Sequence, residues 1–291
     1  MEASILCGLI GVGIQGSLSP ALHEEEARHH GIRLHYQLID LDASSRGVEA
    51  LPTLIEAARI MRFGGLNITY PCKQSVIPLL DELSEEAEAI GAVNTVVRRG
   101  DRLVGHNTDG PGWSWGFRRA LPGADLSRVV LIGAGGAGSA CADAVLRLGA
   151  ASLVIVDKDA PRATALAARL NGHFDGGRAS ASRDLRAALD RASGLIHATP
   201  MGMANTPGLP LPPELLRRTM WVSDIVYVPL ETPLLKVARR IGCETVDGGH
   251  MNVGQALRAF KLFTGREPDA ARMDAHFRRL VSSGGAHARS R

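Results

Sequence analysis

A glycine-rich segment between two short apolar runs constrains the fold of this chain more than any other feature. The run VVLIGAGGAG covers residues 129–138, and a second apolar run, LVIV, ends directly before Asp157. A strand, a tight glycine turn, a helix and a second strand that ends at an acidic residue form the βαβ unit that binds dinucleotides. The sequence therefore predicts a Rossmann domain, a doubly wound parallel sheet with helices on both faces, in this part of the chain.

The same segment predicts which dinucleotide is bound. One glycine of such a motif makes the turn, one lets the backbone approach the pyrophosphate, and one lets helix and strand pack closely. The predicted pyrophosphate loop, at a helix N-terminus, consists of Gly133, Ala134, Gly135, Gly136, Ala137 and Gly138. Asp157 is positioned to accept hydrogen bonds from ribose hydroxyls, and its charge repels a 2′-phosphate. NAD is therefore the predicted cofactor, and NADP is disfavoured.

Length and composition leave room for a second domain. The chain has 291 residues, of which 45% are hydrophobic and 22% charged, as in globular proteins. Because the glycine segment begins only at Val129, a separate domain precedes it, and we expect that domain to hold the substrate. We place the substrate domain at residues 1–110, completed by the C-terminal helices at 250–291, and the NAD-binding domain at residues 111–249.

Charge and hydropathy exclude several classes of protein. The net charge is only +3, and the arginine-rich tail after Arg278 is typical of a solvated chain end rather than of a nucleic-acid surface. No window reaches the roughly 18 consecutive apolar residues of a membrane helix. The N-terminus lacks the basic start of a signal peptide. We therefore expect a cytoplasmic protein with a small-molecule partner, and the sequence leaves open whether it is a homodimer.

Metal and disulfide chemistry find no support in the sequence. The four cysteines have no paired spacing, so we expect buried thiols. His23, His29 and His30 lie on one acidic helix, HEEEARHH, without the His-Glu-x-x-His spacing of a zinc site. We predict a solvated helix face there and no metal.

Apolar runs and helical patterns alternate along the first domain. Strands are predicted at residues 5–10, 35–40 and 65–68, with helices at 20–30 and 48–61 and a hairpin around the RGD turn at 99–101. Ser19 before Pro20 predicts a serine-capped helix start. The fold class is therefore α/β with two domains, a parallel or mixed substrate domain and a Rossmann domain.

Polar side chains gather where the predicted strands of the first domain end. Ligands of open α/β sheets bind at these carboxyl ends. The side chains concerned are Ser17, Ser19, Asn67, Thr69, Lys73, Asn94, Asn107 and Asp109. Hydroxyls, amides, one ammonium and one carboxylate suit a small polyol that bears an acid group.

Several motifs across the chain carry a resemblance to a known family. They are GSLSPALH at residues 16–23, GLNITYPCK at 65–73, GAVNT at 91–95, GHNTDGPG at 105–112, GAGGAG at 133–138, ATPMGM at 198–203, VYVPLETPLL at 226–235 and DGGHMNVGQA at 247–256. Together they resemble the shikimate/quinate dehydrogenase family. The resemblance implies an enzyme that interconverts shikimate or quinate with its 3-dehydro ketone, using a nicotinamide cofactor held between two α/β domains.

The resemblance also implies roles for individual residues. Lys73 and Asp109 match the catalytic pair, and which of them moves the proton stays open. The matches to substrate-binding positions are Ser17, Ser19, Asn67, Thr69, Asn94, Tyr227 and Gln255, besides the catalytic pair. The matches to the nicotinamide pocket are Thr199, Met203, Val226 and Gly249.

The chain departs from the family pattern at three places. Gln15 and Gly16 precede Ser17 where the family often has His, and His197 stands where the family often has Asn. We expect His197 to pack at its strand end. NADP-specific members commonly have Asn-Arg-Thr where this chain has Asp157 and Lys158. We expect NAD to be favoured by about 10² or more, with Arg162 beside the adenosine and Lys158 leaving dual use open.

Other functions stay as alternatives. They are an NADP-dependent biosynthetic shikimate dehydrogenase, a family member acting on an amino-substituted cyclohexane carboxylate, and a ligand sensor without catalysis. Methylenetetrahydrofolate dehydrogenase has a comparable two-domain plan, but its pterin calls for more aromatic lining than a chain with 4% aromatic residues offers. A short-chain dehydrogenase requires Tyr-x-x-x-Lys after the glycine motif, whereas Tyr70 and Lys73 precede it and are one residue too close.

Overall fold

The computed structural model describes residues 4–287, with side chains to residue 283. The chain forms two compact units. The first unit runs up to Thr108 and resumes at Gln255, and the second unit is Asp109–Gly254. The end of the tail predicted to be solvated, residues 288–291, lies outside the described residues.

The first unit is built on a six-stranded mixed sheet. Its elements up to Thr108 are β1 (Ser4–Gly11), α1 (Ser19–His29), β2 (Arg33–Asp40), α2 (Leu51–Ile60), β3 (Gly65–Ile68), β4 (Glu82–Leu83), α3 (Glu85–Ile90), β5 (Thr95–Arg99) and β6 (Arg102–His106). The strand order is β2-β1-β3-β5-β6-β4. β5 runs antiparallel to β3 and β6, and the remaining pairs are parallel. The carboxyl ends of β1, β3 and β6 and the start of β5 therefore lie at one edge.

The second unit is a doubly wound parallel sheet. Its elements are α4 (Asp109–Ala120), β7 (Val129–Ile132), α5 (Gly136–Arg147), β8 (Leu153–Val156), α6 (Ala160–His173), β9 (Ala179–Ala181), α7 (Leu185–Leu189), β10 (Gly194–His197), β11 (Trp221–Asp224), α8 (Pro233–Ile241) and β12 (Glu244–Val246). The order β12-β11-β10-β7-β8-β9, with every pair parallel, reverses direction between β7 and β10. Rossmann sheets bind dinucleotides at this switch point.

Two C-terminal helices complete the chain, α9 (Gly248–Thr264) and α10 (Ala270–His287). Phe260 and Phe263 of α9 pack with Leu9 and Tyr36 in one core cluster of the first unit. On α10, Arg272 donates two hydrogen bonds, of 2.8 and 2.6 Å, to Glu26 of α1. These contacts explain why the chain beyond Gln255 belongs to the first unit.

The predicted fold class, α/β with a mixed sheet and a Rossmann sheet, is confirmed, and two local expectations are wrong. Helix α1 starts at Ser19 itself, so the N-cap residue is Leu18, whose side chain cannot accept a hydrogen bond; the Ser17 hydroxyl accepts the Ser19 N–H at 3.3 Å. His23 is fully buried rather than solvated, since it stacks on Tyr36 with ring centroids 5.0 Å apart. All four cysteines are buried as thiols, as predicted.

Nowhere in residues 4–283, whose side chains the structure describes, do three or more His, Cys, Asp or Glu side chains come together as a metal site requires. Within residues 4–287, no helix combines the length and the apolar character needed to cross a bilayer.

Candidate active site

The two predicted substrate serines lie at the end of the loop between β1 and α1, Ser17 within the loop and Ser19 as the first residue of α1, and Asp40 holds this loop in place. The Asp40 carboxylate, at the end of β2, accepts the backbone N–H groups of Gly13 at 3.0 Å and Ile14 at 3.1 Å. Burial alone raises the pKa of Asp40, but hydrogen bonds, chiefly from backbone N–H groups, outweigh it and lower the pKa. The hydroxyls of Ser17 and Ser19 lie 3.2 Å apart, both half-buried. Two hydroxyls thus point to one small region.

The segment after β3 brings Thr69 and Lys73 to the same edge. Thr69 N donates to the carbonyl of Ile10 at 2.9 Å, which fixes the segment against the end of β1. The Lys73 carbonyl accepts the N–H of Val93 at 2.8 Å, directly before Asn94. The Lys73 side chain is half-buried. The serines, Thr69, Lys73 and Asn94 therefore all lie at the edge of the sheet where β1 and β3 end and β5 begins.

Asn67 is held by a hydrogen-bond network that limits how it can bind a ligand. Its Nδ2 donates to the Asn94 carbonyl at 3.2 Å and to Thr95 Oγ1 at 3.0 Å. Its Oδ1 accepts the Tyr36 hydroxyl at 2.7 Å. Both amide hydrogens are thereby used within the protein, so Asn67 can offer a ligand only a further lone pair on Oδ1. Tyr36, which the sequence analysis missed, sets this orientation.

Asn94 and Asn107 form hydrogen bonds that connect the segment before β5 with the segment after β6. Asn94 Oδ1 accepts the Thr108 N–H at 2.7 Å, and Asn94 Nδ2 donates to Thr108 Oγ1 at 2.9 Å. Asn107 Nδ2 donates to the carbonyl of Ala92 at 2.9 Å. Because these amides are buried and bonded to the backbone, they give the edge a fixed shape.

The three key glycines of the second unit are required for different reasons. Gly133 has φ +103°, and a Cβ there would lie 2.5 Å from the carbonyl of Ala198. A Cβ on Gly138 would collide with the carbonyl of Gly133. Gly135 has an ordinary φ of −74°, and no protein atom lies within 4 Å of a Cβ placed there. The fold itself therefore does not require glycine at Gly135, whereas a pyrophosphate at the start of α5 needs that open space.

Asp157 lies at the end of β8 and contacts this loop directly. Its Oδ2 accepts the N–H of Ala134 at 2.6 Å, and its Oδ1 accepts the N–H of Asp159 at 2.8 Å. Each carboxylate oxygen keeps a further lone pair, and the side chain is half-buried. Arg162, in the first turn of α6, is exposed and pairs with Asp159 at 3.7 Å. At this strand end, Asp157 could therefore accept hydrogen bonds from the two hydroxyls of a ribose, and Arg162 could place its cation beside an adenosine.

The predicted nicotinamide residues follow the other parallel strands. Thr199 and Met203 come after β10, Val226 and Tyr227 after β11, and Gly249 after β12, in the first turn of α9. Since these strands are parallel, the residues share the edge that bears the glycine loop. Burial raises the pKa of the Tyr227 phenol.

Three predicted residues lie at special positions. Asp109 is 5% exposed and begins both α4 and the second unit. Gln255 is the residue of α9 at which the chain re-enters the first unit. His197 packs at its strand end, fully buried, as expected.

Comparisons with known proteins point to one family of dehydrogenases. Residues 9–96 match the family model "Shikimate dehydrogenase substrate binding domain". A shikimate dehydrogenase (NADP(+)) from Streptomyces avermitilis is 56% identical over 97% of this chain and 98% of its own length. A quinate/shikimate dehydrogenase (NAD(+)) from Corynebacterium glutamicum is 47% identical over 95% of this chain and 99% of its own.

A solved structure extends the comparison to the fold. The structure of quinate dehydrogenase from Corynebacterium glutamicum in complex with NAD superimposes with a TM-score of 0.90 and 45% sequence identity, covering 96% of this chain and all (100%) of the other. Similarity of this extent in both sequence and fold assigns the family predicted from the motifs. The chain therefore belongs to the shikimate/quinate dehydrogenase family of nicotinamide-dependent oxidoreductases.

Proposed function

We propose that this protein is an NAD-dependent quinate/shikimate dehydrogenase, which oxidises the ring hydroxyl of quinate or shikimate to the 3-dehydro ketone and catalyses the reverse reduction. The polar edge of the first unit supports a cyclic polyol acid as substrate. Ser17 and Ser19 offer hydroxyls to a carboxylate, while Asn67 offers an acceptor to a ring hydroxyl. Thr69, Asn94, Tyr227 and Gln255 complete the proposed substrate set.

Removal of the hydroxyl proton is the chemical task left to the protein. A bound nicotinamide supplies the hydride acceptor or donor. We assign the proton transfer to Lys73 and Asp109, which match the catalytic pair of the family. A positioned acid or base of this kind contributes roughly 10² to 10⁴ in rate. Because the lysine comes from the substrate unit, its loss should affect turnover rather than cofactor affinity.

The cofactor preference rests on one observation, the Asp157 carboxylate beside the glycine loop. An acceptor-only group at the end of β8 suits the two hydroxyls of an NAD ribose and opposes the 2′-phosphate of NADP. The loop from Gly133 to Gly138, with open space at Gly135, is the proposed pyrophosphate site. Thr199, Met203, Val226 and Gly249 are proposed to line the nicotinamide pocket, with Arg162 beside the adenosine.

A second candidate is an NADP-dependent shikimate dehydrogenase. Two features favour it: the exposed cations Lys158 and Arg162 near Asp157, and the Streptomyces relative, whose name specifies NADP. Asp157 and Asp159 offset these two cations, so the strand end has no excess positive charge for a phosphate. We therefore propose NAD as the main cofactor.

A lysine replacement tests the proposed reaction. Lys73→Ala should lower kcat for quinate or shikimate oxidation by about 10² or more. The dissociation constant of NADH, measured by fluorescence titration, should stay within about twofold of the wild-type value, well under the tenfold change that about 1.4 kcal/mol produces. Lys236→Ala on α8, at an exposed position, serves as the matched control and should leave both quantities unchanged. Unchanged turnover in Lys73→Ala would refute the assignment of Lys73.

A further inference from the structure

We infer that His197 is a positioning residue for the cofactor site, because it holds the Thr199 hydroxyl and the Asp224 carboxylate at the same time. The inference rests on the proposed function, in which Thr199 and Val226 line the nicotinamide pocket. It adds a role for a side chain that contacts neither substrate nor cofactor in that proposal.

The geometry joins two loops through one imidazole. His197 and Asp224 are aligned in register as the last residues of the parallel strands β10 and β11, and both side chains are fully buried (0% exposed). His197 Nδ1 lies 2.9 Å from Asp224 Oδ1, and Nε2 lies 2.6 Å from Thr199 Oγ1. The ring therefore bridges the end of β11 and the loop after β10.

Asp224 is itself held firmly, so it can serve as a fixed anchor. Its Oδ1 also accepts the N–H of Val226 at 3.1 Å, and its Oδ2 accepts the Thr232 hydroxyl at 2.7 Å. Thr232 Oγ1 in turn accepts the N–H of Leu235 at 3.2 Å, which caps α8. A chain of hydrogen bonds thus runs from a helix start through Asp224 and His197 to Thr199.

The donor and acceptor roles along this chain determine what Thr199 can bind. A carboxylate only accepts, so His197 Nδ1 donates to Asp224, and in the neutral ring Nε2 is an acceptor. The Thr199 hydroxyl then donates to Nε2, while its oxygen accepts the N–H of Met201 at 3.3 Å. One lone pair of Thr199 Oγ1 remains. Thr199 is therefore oriented to accept an N–H, such as that of a carboxamide, and not to donate.

A purely structural role for His197 makes a different prediction from this positioning role. If the imidazole only fills space, its replacement changes stability and leaves the cofactor affinity of the folded protein as it was. If it positions Thr199, cofactor affinity falls even in a variant that folds normally. The two readouts must therefore be measured on the same protein.

Two amide replacements separate the two contacts of the ring. The His197→Asn amide lies near the position of Nδ1, so it keeps the bond to Asp224 and releases Thr199. The longer His197→Gln amide reaches the position of Nε2 and keeps the bond to Thr199. We expect H197N to weaken NADH binding by about 3- to 10-fold, the range for loss of one neutral hydrogen bond, with a Tm close to wild type. We expect H197Q to bind NADH more tightly than H197N.

A double-mutant cycle with Thr199→Val completes the experiment. If His197 acts through Thr199, H197N should weaken NADH binding no further in a T199V background. Independent, multiplying effects of the two substitutions would overturn the inference. So would NADH binding by H197N within about twofold of wild type, less than the loss of one hydrogen bond produces.

A measurement on the unsubstituted protein covers the case in which H197N does not fold. With ¹⁵N-labelled histidine, the His197 ring should show the Nδ1–H tautomer, and its Nε2 resonance should shift when NADH is added. An Nε2–H tautomer, or no shift at saturating NADH, would overturn the inference. Wild-type protein that neither binds NADH nor oxidises quinate or shikimate would refute the proposed function and the inference together, and the wild-type measurement identifies that case.

Discussion

Replacement of Asp157 by Asn should move the cofactor preference toward NADP. Asp157→Asn removes the negative charge and keeps the size of the side chain. The amide oxygen can still accept the N–H of Ala134, now made by a carboxylate oxygen at 2.6 Å, so the glycine loop should keep its geometry. The bond from the Asp159 N–H is lost, and this cost applies to both cofactors equally. The ratio of kcat/KM values for the two cofactors is therefore the informative quantity.

The magnitude follows from the position of the carboxylate. Two like unit charges about 4 Å apart repel by about 1 kcal/mol in water and about 4 kcal/mol at a surface-like dielectric. Because Asp157 is half-buried, the gain for NADP lies between these values, at least about 5-fold in kcat/KM. Hydrogen bonds from ribose hydroxyls to a charged acceptor exceed neutral ones by about 1 kcal/mol, so NAD should lose about 5-fold. The ratio should therefore shift by roughly 25-fold or more.

The assay is steady-state oxidation of quinate or shikimate with each cofactor in turn, followed by the absorbance of the reduced cofactor. Asp159→Asn is the matched control, because Asp159 is the neighbouring carboxylate and caps α6, a role that Asn also performs. Because Asp159 helps to offset Lys158 and Arg162, the control should move the ratio toward NADP as well, but by less than Asp157→Asn does, since Asp157 bonds the glycine loop whereas Asp159 bonds the start of α6. A ratio in Asp157→Asn that equals the wild-type ratio would refute the role of Asp157, and an equal shift in both variants would reduce it to a general charge effect.

Three further predictions concern the first unit. Tyr36→Phe frees Asn67 Oδ1 from its 2.7 Å bond, so the KM for substrate should rise about 3- to 10-fold while NADH affinity by fluorescence stays constant; an unchanged KM would contradict the positioning of Asn67. Burial lowers the pKa of His23 from 6.5 to about 3, so below about pH 6.5 the unfolded state binds more protons than the folded state. The free energy of unfolding should therefore decrease as the pH is lowered from about 7. Urea unfolding should show a loss of about 2 kcal/mol between about pH 7 and about pH 5 beyond that of His23→Phe, and equal losses would contradict a buried neutral His23. Arg272→Met leaves the Glu26 carboxylate, 1% exposed, without its arginine partner and should lower the free energy of unfolding by about 3 kcal/mol. Arg278→Met breaks a more exposed ion pair on the same helix and should lower it by about 1 kcal/mol or less. Similar losses in the two variants would show that Arg272 does not stabilise Glu26.

Features that depend on neighbouring residues were predictable from the sequence. β3 has the predicted bounds, because a buried run between a glycine and a polar segment can form only a short strand. The glycine loop and the acid at the end of β8 were predictable from their spacing in the βαβ pattern, although the residue that a Cβ at Gly133 would meet, Ala198, is distant in sequence. Helix α3 was missed, although Ser84 caps it and Gly91, at φ +68°, ends it, both of which are local signals.

Features that depend on distant partners were not predictable. His23 lies in a segment rich in Glu and His, which favours a solvated face, yet Tyr36 and two phenylalanines of α9 enclose it. Glu26 is buried, and its carboxylate is bonded by Arg272, 246 positions later, and by the N–H of Asp269. Asp40 and Tyr36 act on the site through contacts that a single sequence does not display. The residues that we propose to face the ligands could therefore be chosen from the sequence, whereas the residues that orient them could not.

A matrix of initial rates, with quinate and shikimate as substrates and NAD and NADP as cofactors, measures the proposed reaction and the cofactor preference together. We expect oxidation of at least one of the two substrates with NAD, with a kcat/KM about 10²-fold or more higher than that with NADP. Equal or higher values with NADP would contradict the NAD preference assigned to Asp157. The absence of reduced cofactor in all combinations would contradict the proposed reaction itself.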